Sequence, residues 1–210
     1  MTSGKRLARL QEGLARLGED YSRHPCERYL GYLDLLHEWN QAYNLTGITD
    51  PESMITRHLL DCLAAKPFIR GTRCLDVGSG PGLPGLVLAM ASPEQHWTLL
   101  DSGTKKVRFM NHVRLVMQVR NIEVVKGRVE KYEPAQPFDT VITRAFSALP
   151  EYYRAVYRLV SGHGRIISMK GELHDRELAE LGDVGITYAT VSLVVPGLDR
   201  QRNLVIFERD

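Results

Sequence analysis

One stretch constrains this chain more than any other: Cys74-Leu75-Asp76-Val77-Gly78-Ser79-Gly80-Pro81-Gly82-Leu83-Pro84-Gly85. A run of strand character carries an acid, passes into a glycine-rich turn and leads to a segment with proline near its start. Glycines let the backbone approach a ligand closely, and a helix opening behind them offers unpaired N–H groups. Such strand–turn–helix units belong to open α/β sheets, whose ligands sit at the carboxyl ends of the strands. A glycine-rich turn alone does not separate dinucleotide ligands from other nucleosides.

The surrounding pattern agrees with that class. Short apolar runs predict strands over 73–77, 97–101, 122–125, 138–143 and 165–169. Helical periodicity predicts helices over 84–91, 104–119, 149–160 and 173–181, and the alternation builds a parallel sheet by right-handed crossovers. The tail breaks the alternation: 187–195 and 203–208 are β-rich and flank a turn containing Pro196-Gly197, which predicts an antiparallel hairpin. Upstream, Leu7, Leu10, Leu14 and Leu17, then Leu30, Leu33 and Leu36, then Met54, Ile55, Leu59, Leu60 and Leu63 fall at helical spacing. Three helices follow, with breaks at 18–25 and 47–51, where Asp50 is placed to cap and Pro51 to occupy the first turn.

The expected fold is therefore α/β: a Rossmann-like sheet, mostly parallel with a C-terminal antiparallel hairpin that resembles the one class I methyltransferases add to this plan, preceded by an N-terminal helical segment. Residues 1–66 form that extension and 67–210 the core, in one compact unit. A length of 210 residues suits one main domain. The net charge of +2 is too mild to announce a nucleic-acid binder, so any RNA contact must come from local patches. No apolar run approaches the ~20 residues of a membrane span. Lys5, Arg6 and Arg9 precede leucines interleaved with polar residues, not a signal-peptide core, and a cytoplasmic protein is expected. Cys26, Cys62 and Cys74 are odd in number and widely spaced, which points to reduced thiols. His58, Asp61 and Cys62 share a helical face, but no second ligand pair accompanies them, and no metal is expected.

Asp76 tips the ligand toward S-adenosylmethionine. That molecule lacks phosphate and carries an ammonium and a sulfonium, so a carboxylate beside the glycine turn complements it directly or through water. Asp101, with Ser102, ends the second strand, where an acid takes ribose hydroxyls. Gly78 and Gly80 border the same turn. Gly127-Arg128-Val129-Glu130 follows the third strand and is placed to border the adenine. Arg144 and Lys170 end the fourth and fifth strands and should converge on the same crevice, as electrostatic and positioning groups. No Asn/Asp-Pro-Pro-Tyr/Phe motif follows the fourth strand, which speaks against methylation of an exocyclic amine. No cysteine lies there either, which leaves covalent attack on a pyrimidine without a nucleophile. An acceptor with a free lone pair remains, and guanine N7 is one.

With these residues placed, the chain resembles the bacterial RsmG (GidB) family, which methylates guanine N7 in small-subunit ribosomal RNA. The marks are Trp39-Asn40-Gln41-Ala42-Tyr43-Asn44-Leu45-Thr46, Arg57-His58-Leu59-Leu60-Asp61, the Asp76–Gly85 loop, Leu100-Asp101-Ser102 with Lys105-Lys106, Thr143-Arg144-Ala145 and Met169-Lys170-Gly171, with Arg202 and Leu204 in the closing hairpin. The resemblance implies that Gly78, Leu83, Val129, Glu130 and Arg144 contact the cofactor. It makes Asn44, Thr46, Arg57, His58, Lys170 and Arg202 candidates for the guanine or RNA side, with capping an equal reading for Asn44 and Thr46. Cys62 stands where the family commonly has serine. Lys105, Lys106, Arg108, Arg114, Arg128 and Arg144 are the basic candidates for RNA affinity. The implied partner is 16S ribosomal RNA or the small ribosomal subunit, with no membrane, and the chain is expected to be a monomer. Two other readings stand beside this one: a ribosomal RNA-binding assembly factor that retains a nucleoside pocket, and an NAD-linked oxidoreductase.

Overall fold

The structure is a computed structural model, which describes residues 3–144, 146, 148–183 and 185–209. Ala145 of the Thr143-Arg144-Ala145 motif lies outside the described residues. Helices α1 (Ser3–Arg16) and α2 (Cys26–Tyr43) precede a third helical stretch, in which α3 (Pro51–Met54) passes through a π-helical segment (Ile55–Leu60) into α4 (Asp61–Leu63). Asp50 caps it as its sequence position predicts, accepting the Ser53 N–H at 2.8 Å with Pro51 in the first turn. The rest alternates: β1 (Arg73–Val77), α5 (Gly85–Ala91), β2 (His96–Asp101), α6 (Thr104–Val116), β3 (Ile122–Lys126), β4 (Phe138–Thr143), α7 (Leu149–Val156), β5 (Val160–Lys170), α8 (Asp175–Asp183), β6 (Ala189–Leu193) and β7 (Arg202–Glu208).

The strands form one sheet in the order β3-β2-β1-β4-β5-β7-β6. β1 to β5 run parallel, and β7 is antiparallel to both neighbours. Chain order reverses between β1 and β4, which opens a crevice at their carboxyl ends, the place such sheets use for ligands. On one face Leu75, Val141, Tyr152, Val156, Ile166 and Phe207 are buried together. On the other, Leu86, Leu99, Phe109 and Leu204 join one cluster with Leu10, Leu14, Leu33, Leu36 and Leu59. The N-terminal helices are thus built into the core of the α5–α6 face. No described helix is long and apolar enough to cross a membrane.

The largest differences from expectation are in β5 and the third helix, while α6 and α7 end three and four residues ahead of the predicted 119 and 160. β5 starts at Val160, ahead of the predicted 165, because Val160 pairs with Phe138 of β4 while Ser161-Gly162-His163-Gly164 interrupts the apolar pattern and bulges between that pair and the next. His163 takes a positive φ of 64° there, and the pairing with β4 shifts register between Phe138 and Thr140. The third helix is not uniform: its middle is wound as a π turn, which frees backbone carbonyls from the ordinary ladder and is frequent at functional sites.

Candidate functional site

Two pockets open side by side at the carboxyl ends of the parallel strands. The first, about 340 Å³, is lined by Val77, Gly78, Leu100, Asp101, Ser102, Lys106, Gly127, Arg128, Val129, Glu130 and Phe146. Backbone geometry fixes its floor. Gly80 has a φ of 59°, and its N–H donates to Asp101 Oδ2 at 2.8 Å. Asp101 Oδ1 accepts the Gly103 N–H at 2.7 Å, and Lys106 Nζ stands 3.7 Å from Oδ2. The Tyr32 hydroxyl, from α2, donates to the Pro81 carbonyl at 3.0 Å and props the loop from behind.

Asp76 lies beneath this loop, fully buried, and is not among the residues that line the pocket. Its Oδ2 accepts the Gly85 N–H at 2.8 Å, and a side chain at Gly85 would collide with Asp76 and Leu99. Asp76 Oδ1 is buried with no hydrogen-bond partner. Burial, opposed by the Gly85 N–H, raises its carboxyl to about 7. An orphaned, buried carboxylate oxygen next to a nucleoside-sized pocket fits a ligand that brings positive charge, because its field is weakly screened there. The residues present therefore suit S-adenosylmethionine.

The second pocket, about 330 Å³, is lined by Thr46, Ile48, Arg57, His58, Asp61, Arg144, Met169, Lys170, Gly171 and Arg202. Asp61, 1% exposed, holds it together: Oδ1 accepts from Arg202 Nε at 2.6 Å and Oδ2 from Arg144 at 3.3 Å. Arg144 also donates to the Arg57 carbonyl at 3.3 Å, one of those in the π segment. That carbonyl takes His58 Nδ1–H at 3.0 Å, which leaves Nε2 to accept the Thr46 hydroxyl at 3.0 Å. Burial, reinforced by the Arg144 and Arg57 charges, lowers the His58 imidazole to about 3, so it is neutral at physiological pH. Lys170 donates to the Phe146 carbonyl at 3.3 Å and pairs with Glu177 of α8.

Of the residues expected on the cofactor side, Gly78, Asp101, Ser102, Val129 and Glu130 line the first pocket together. Gly80 serves it through its N–H to Asp101, whereas Leu83 is buried in the loop at 2% exposure and lines neither pocket. Arg144 lines the second pocket, where its guanidinium meets Asp61. Thr46, Arg57, His58, Lys170 and Arg202 gather in that second pocket as expected of acceptor-side residues. Asn44 is not among its lining residues: it is exposed and closes α2 with a left-handed φ of 51°. Lys105 and Arg108 are exposed on α6 and line neither pocket, Lys106 and Arg128 line the first, and Arg114 lies half a turn around the helix from Lys105. The basic candidates are thus distributed, not one patch.

Asp61 is the site residue that sequence reasoning missed. Its partners lie 83 and 141 residues away, so no local spacing betrays the pairing. A larger cavity, about 560 Å³, lies at the opposite strand ends beside Arg73, His96 and Trp97, where no expected site residue reaches.

Comparison with known proteins adds the following. A family model described as rRNA small subunit methyltransferase G (GidB) matches residues 25–205. A protein named ribosomal RNA small subunit methyltransferase G from Methylobacillus flagellatus is 44% identical over 94% of this chain and 95% of its own. One of the same name from Shigella flexneri is 41% identical over 96% and 98%. Among solved structures, the apo form of the S-adenosylmethionine-dependent methyltransferase SibL aligns with a TM-score of 0.59 at 16% identity, covering 97% of this chain and 73% of that one. Fibrillarin from Aeropyrum pernix, solved with S-adenosyl-L-methionine, aligns at 0.55 and 18%, covering 72% and 75%. These two likenesses bear on the fold.

Proposed function

The chain belongs to the rRNA small subunit methyltransferase G family, and on that premise we propose that it transfers the methyl group of S-adenosylmethionine to N7 of a guanine in 16S ribosomal RNA. When bound, S-adenosylmethionine supplies a methyl group made electrophilic by its sulfonium. Asp101 and Glu130 offer oxygens to hydroxyls at the rim of the first pocket, Val129 gives an apolar flank, and the buried Asp76 supplies negative field beneath the loop. The segment after β4 walls both pockets, Phe146 facing the first and Arg144 the second.

The observation that carries the reading is that no free base faces the second pocket among the described residues. Both Asp61 oxygens are tied to guanidiniums, and His58 Nε2 is taken by the Thr46 hydroxyl. An acceptor there must attack without first losing a proton, and N7 of guanine does so through its lone pair. Positioning and electrostatics then suffice for in-line transfer. Arg57, Arg144, Lys170 and Arg202 outnumber Asp61 and Glu177, which suits an acceptor attached to phosphates. Arg144 and Lys170 are the groups that position it.

The partner in this reading is 16S ribosomal RNA, free or within the small subunit, met in the cytoplasm by a monomer. Residues 1–66 act as an extension that supplies the outer wall of the acceptor pocket, and 67–210 as the cofactor-binding core. Incubation with methyl-labelled S-adenosylmethionine and small-subunit RNA, followed by mapping of the label, tests it: 7-methylguanine is expected. Label on an exocyclic amine or a ribose, or RNA binding with no incorporation, overturns it, and the last result favours an assembly factor. Thermal shift by S-adenosylmethionine but not by NAD is expected of the first pocket.

A further inference from the structure

Helices α2 and α6 lie antiparallel: Arg28 near the start of α2 donates to the Met117 carbonyl just past α6 at 2.7 Å, while Tyr43 at the end of α2 meets Lys105 at the start of α6. Rings line the seam between them. Trp39 packs on buried Phe109 at 5.5 Å between centroids, on His112 at 5.1 Å and on Tyr43 at 5.3 Å. Lys105 Nζ lies 5.7 Å from the Tyr43 ring centre. Trp39, Tyr43 and His112 are half-buried, and Lys105 and Arg108 are exposed, whereas the chain's other tryptophan, Trp97, is 1% exposed.

The upper end of this seam adjoins both pockets. Beyond Tyr43 the chain turns at Asn44 and reaches Thr46 of the acceptor pocket, where Asn40 accepts the Thr46 N–H at 2.8 Å. Beyond Lys105 comes Lys106 of the cofactor pocket. We propose that Trp39, Tyr43 and Lys105 form a stacking platform for an unpaired RNA base beside the target nucleotide, a site that rests on the RNA reading above. Half-covered aromatic rings framed by exposed cations at the lip of a cationic pocket are what single-stranded RNA recognition requires: base faces stack on the rings and phosphates meet Lys105 and Arg108. An aliphatic protein partner would have no use for the cations, and a duplex presents no free base faces.

Intrinsic fluorescence tests this without reference to catalysis. A single-stranded oligoadenylate is expected to quench the protein, and an RNA duplex of equal length is not. Trp39→Phe is expected to remove the quenching, since Trp97 is enclosed. Tyr43→Ala is expected to weaken oligoadenylate binding and raise KM for ribosomal RNA by about fivefold or more, the size of a lost base–aromatic stack, with kcat and cofactor affinity within twofold and the melting midpoint retained. Tyr43→Phe is expected to restore both values. Equal quenching by duplex, quenching that survives Trp39→Phe, or an unchanged KM in Tyr43→Ala overturns the platform while leaving the methylation reading intact. A KM change seen with the ribosomal particle but not with free RNA, and no oligoadenylate quenching, assigns the surface to a protein and also overturns it. If the parent chain methylates no RNA, the functional reading fails, and the quenching experiment still decides the platform.

Discussion

The two pockets fix their acids by opposite means. On the cofactor side, Asp76 and Asp101 are held by backbone N–H groups of Gly85, Gly80 and Gly103. On the acceptor side, Asp61 is held by the side chains of Arg144 and Arg202. A backbone donor orients a carboxylate and leaves its charge in place, whereas a pair of guanidiniums neutralises it and leaves a surplus of positive charge. The same residue type is thus oriented by the main chain in one pocket and braced by two cations in the other. The difference lies in the donor, not in the acid.

The strongest way to break this contrast is Asp61→Ala. Two guanidiniums would lose a 1%-exposed partner, and removing one member of a buried ion pair costs ~3–5 kcal/mol, so a large fall in the urea midpoint is expected, with cofactor binding retained in whatever remains folded. Arg144→Ala sharpens it: methyl transfer should fall by about 100-fold, the ~2.7 kcal/mol typical of a lost electrostatic donor. Calorimetry should show cofactor affinity nearly unchanged, and a matching loss of that affinity would move Arg144 to the other pocket. Asp101→Ala should do the reverse, weakening cofactor binding by ~1–3 kcal/mol as its N–H-fixed oxygens are lost.

Protonation separates the pockets again. Burial lowers His58 to about 3, so the unfolded chain takes up a proton near 6.5 that the folded chain refuses. Its contribution is full above 6.5 and drains away as pH falls from there toward 3. Asp76, raised to about 7, has the opposite sign: its contribution is present below about 4 and is lost as pH rises to 7. His58→Gln should flatten the acid limb of the stability profile, and Asp76→Asn the limb between about 4 and 7. Profiles that stay parallel to the parent would disprove both assignments. The smallest effect belongs to Asn44→Gly, which should leave transfer unaltered and shift stability by a few tenths of a kcal/mol, since glycine tolerates the left-handed cap.

How legible all this was depends on how local the cause is. β1 and β4 run as the apolar pattern predicts, because strand period and glycine turns are written in neighbouring residues. The start of β5 was hidden, since Gly162 and Gly164 interrupt the pattern and only pairing with β4 recovers it. The π turn of Ile55–Leu60 has no periodicity of its own to read. Thr46, Arg57, His58, Lys170 and Arg202, named from family motifs, line one pocket, but the tie that orders them runs between chain segments that no window spans. Arg144 shows the same limit: its motif gives its strand end, while its ion-pair partner Asp61 lies 83 residues away.

That tie also joins the two ends of the chain. The residues of the cofactor pocket come from 77–146, whereas the acceptor pocket draws on Thr46 and Arg202 alike. Asp61 has both its guanidiniums only where the C-terminal hairpin is in place, so the lining of the second pocket registers closure of the whole sheet and that of the first does not.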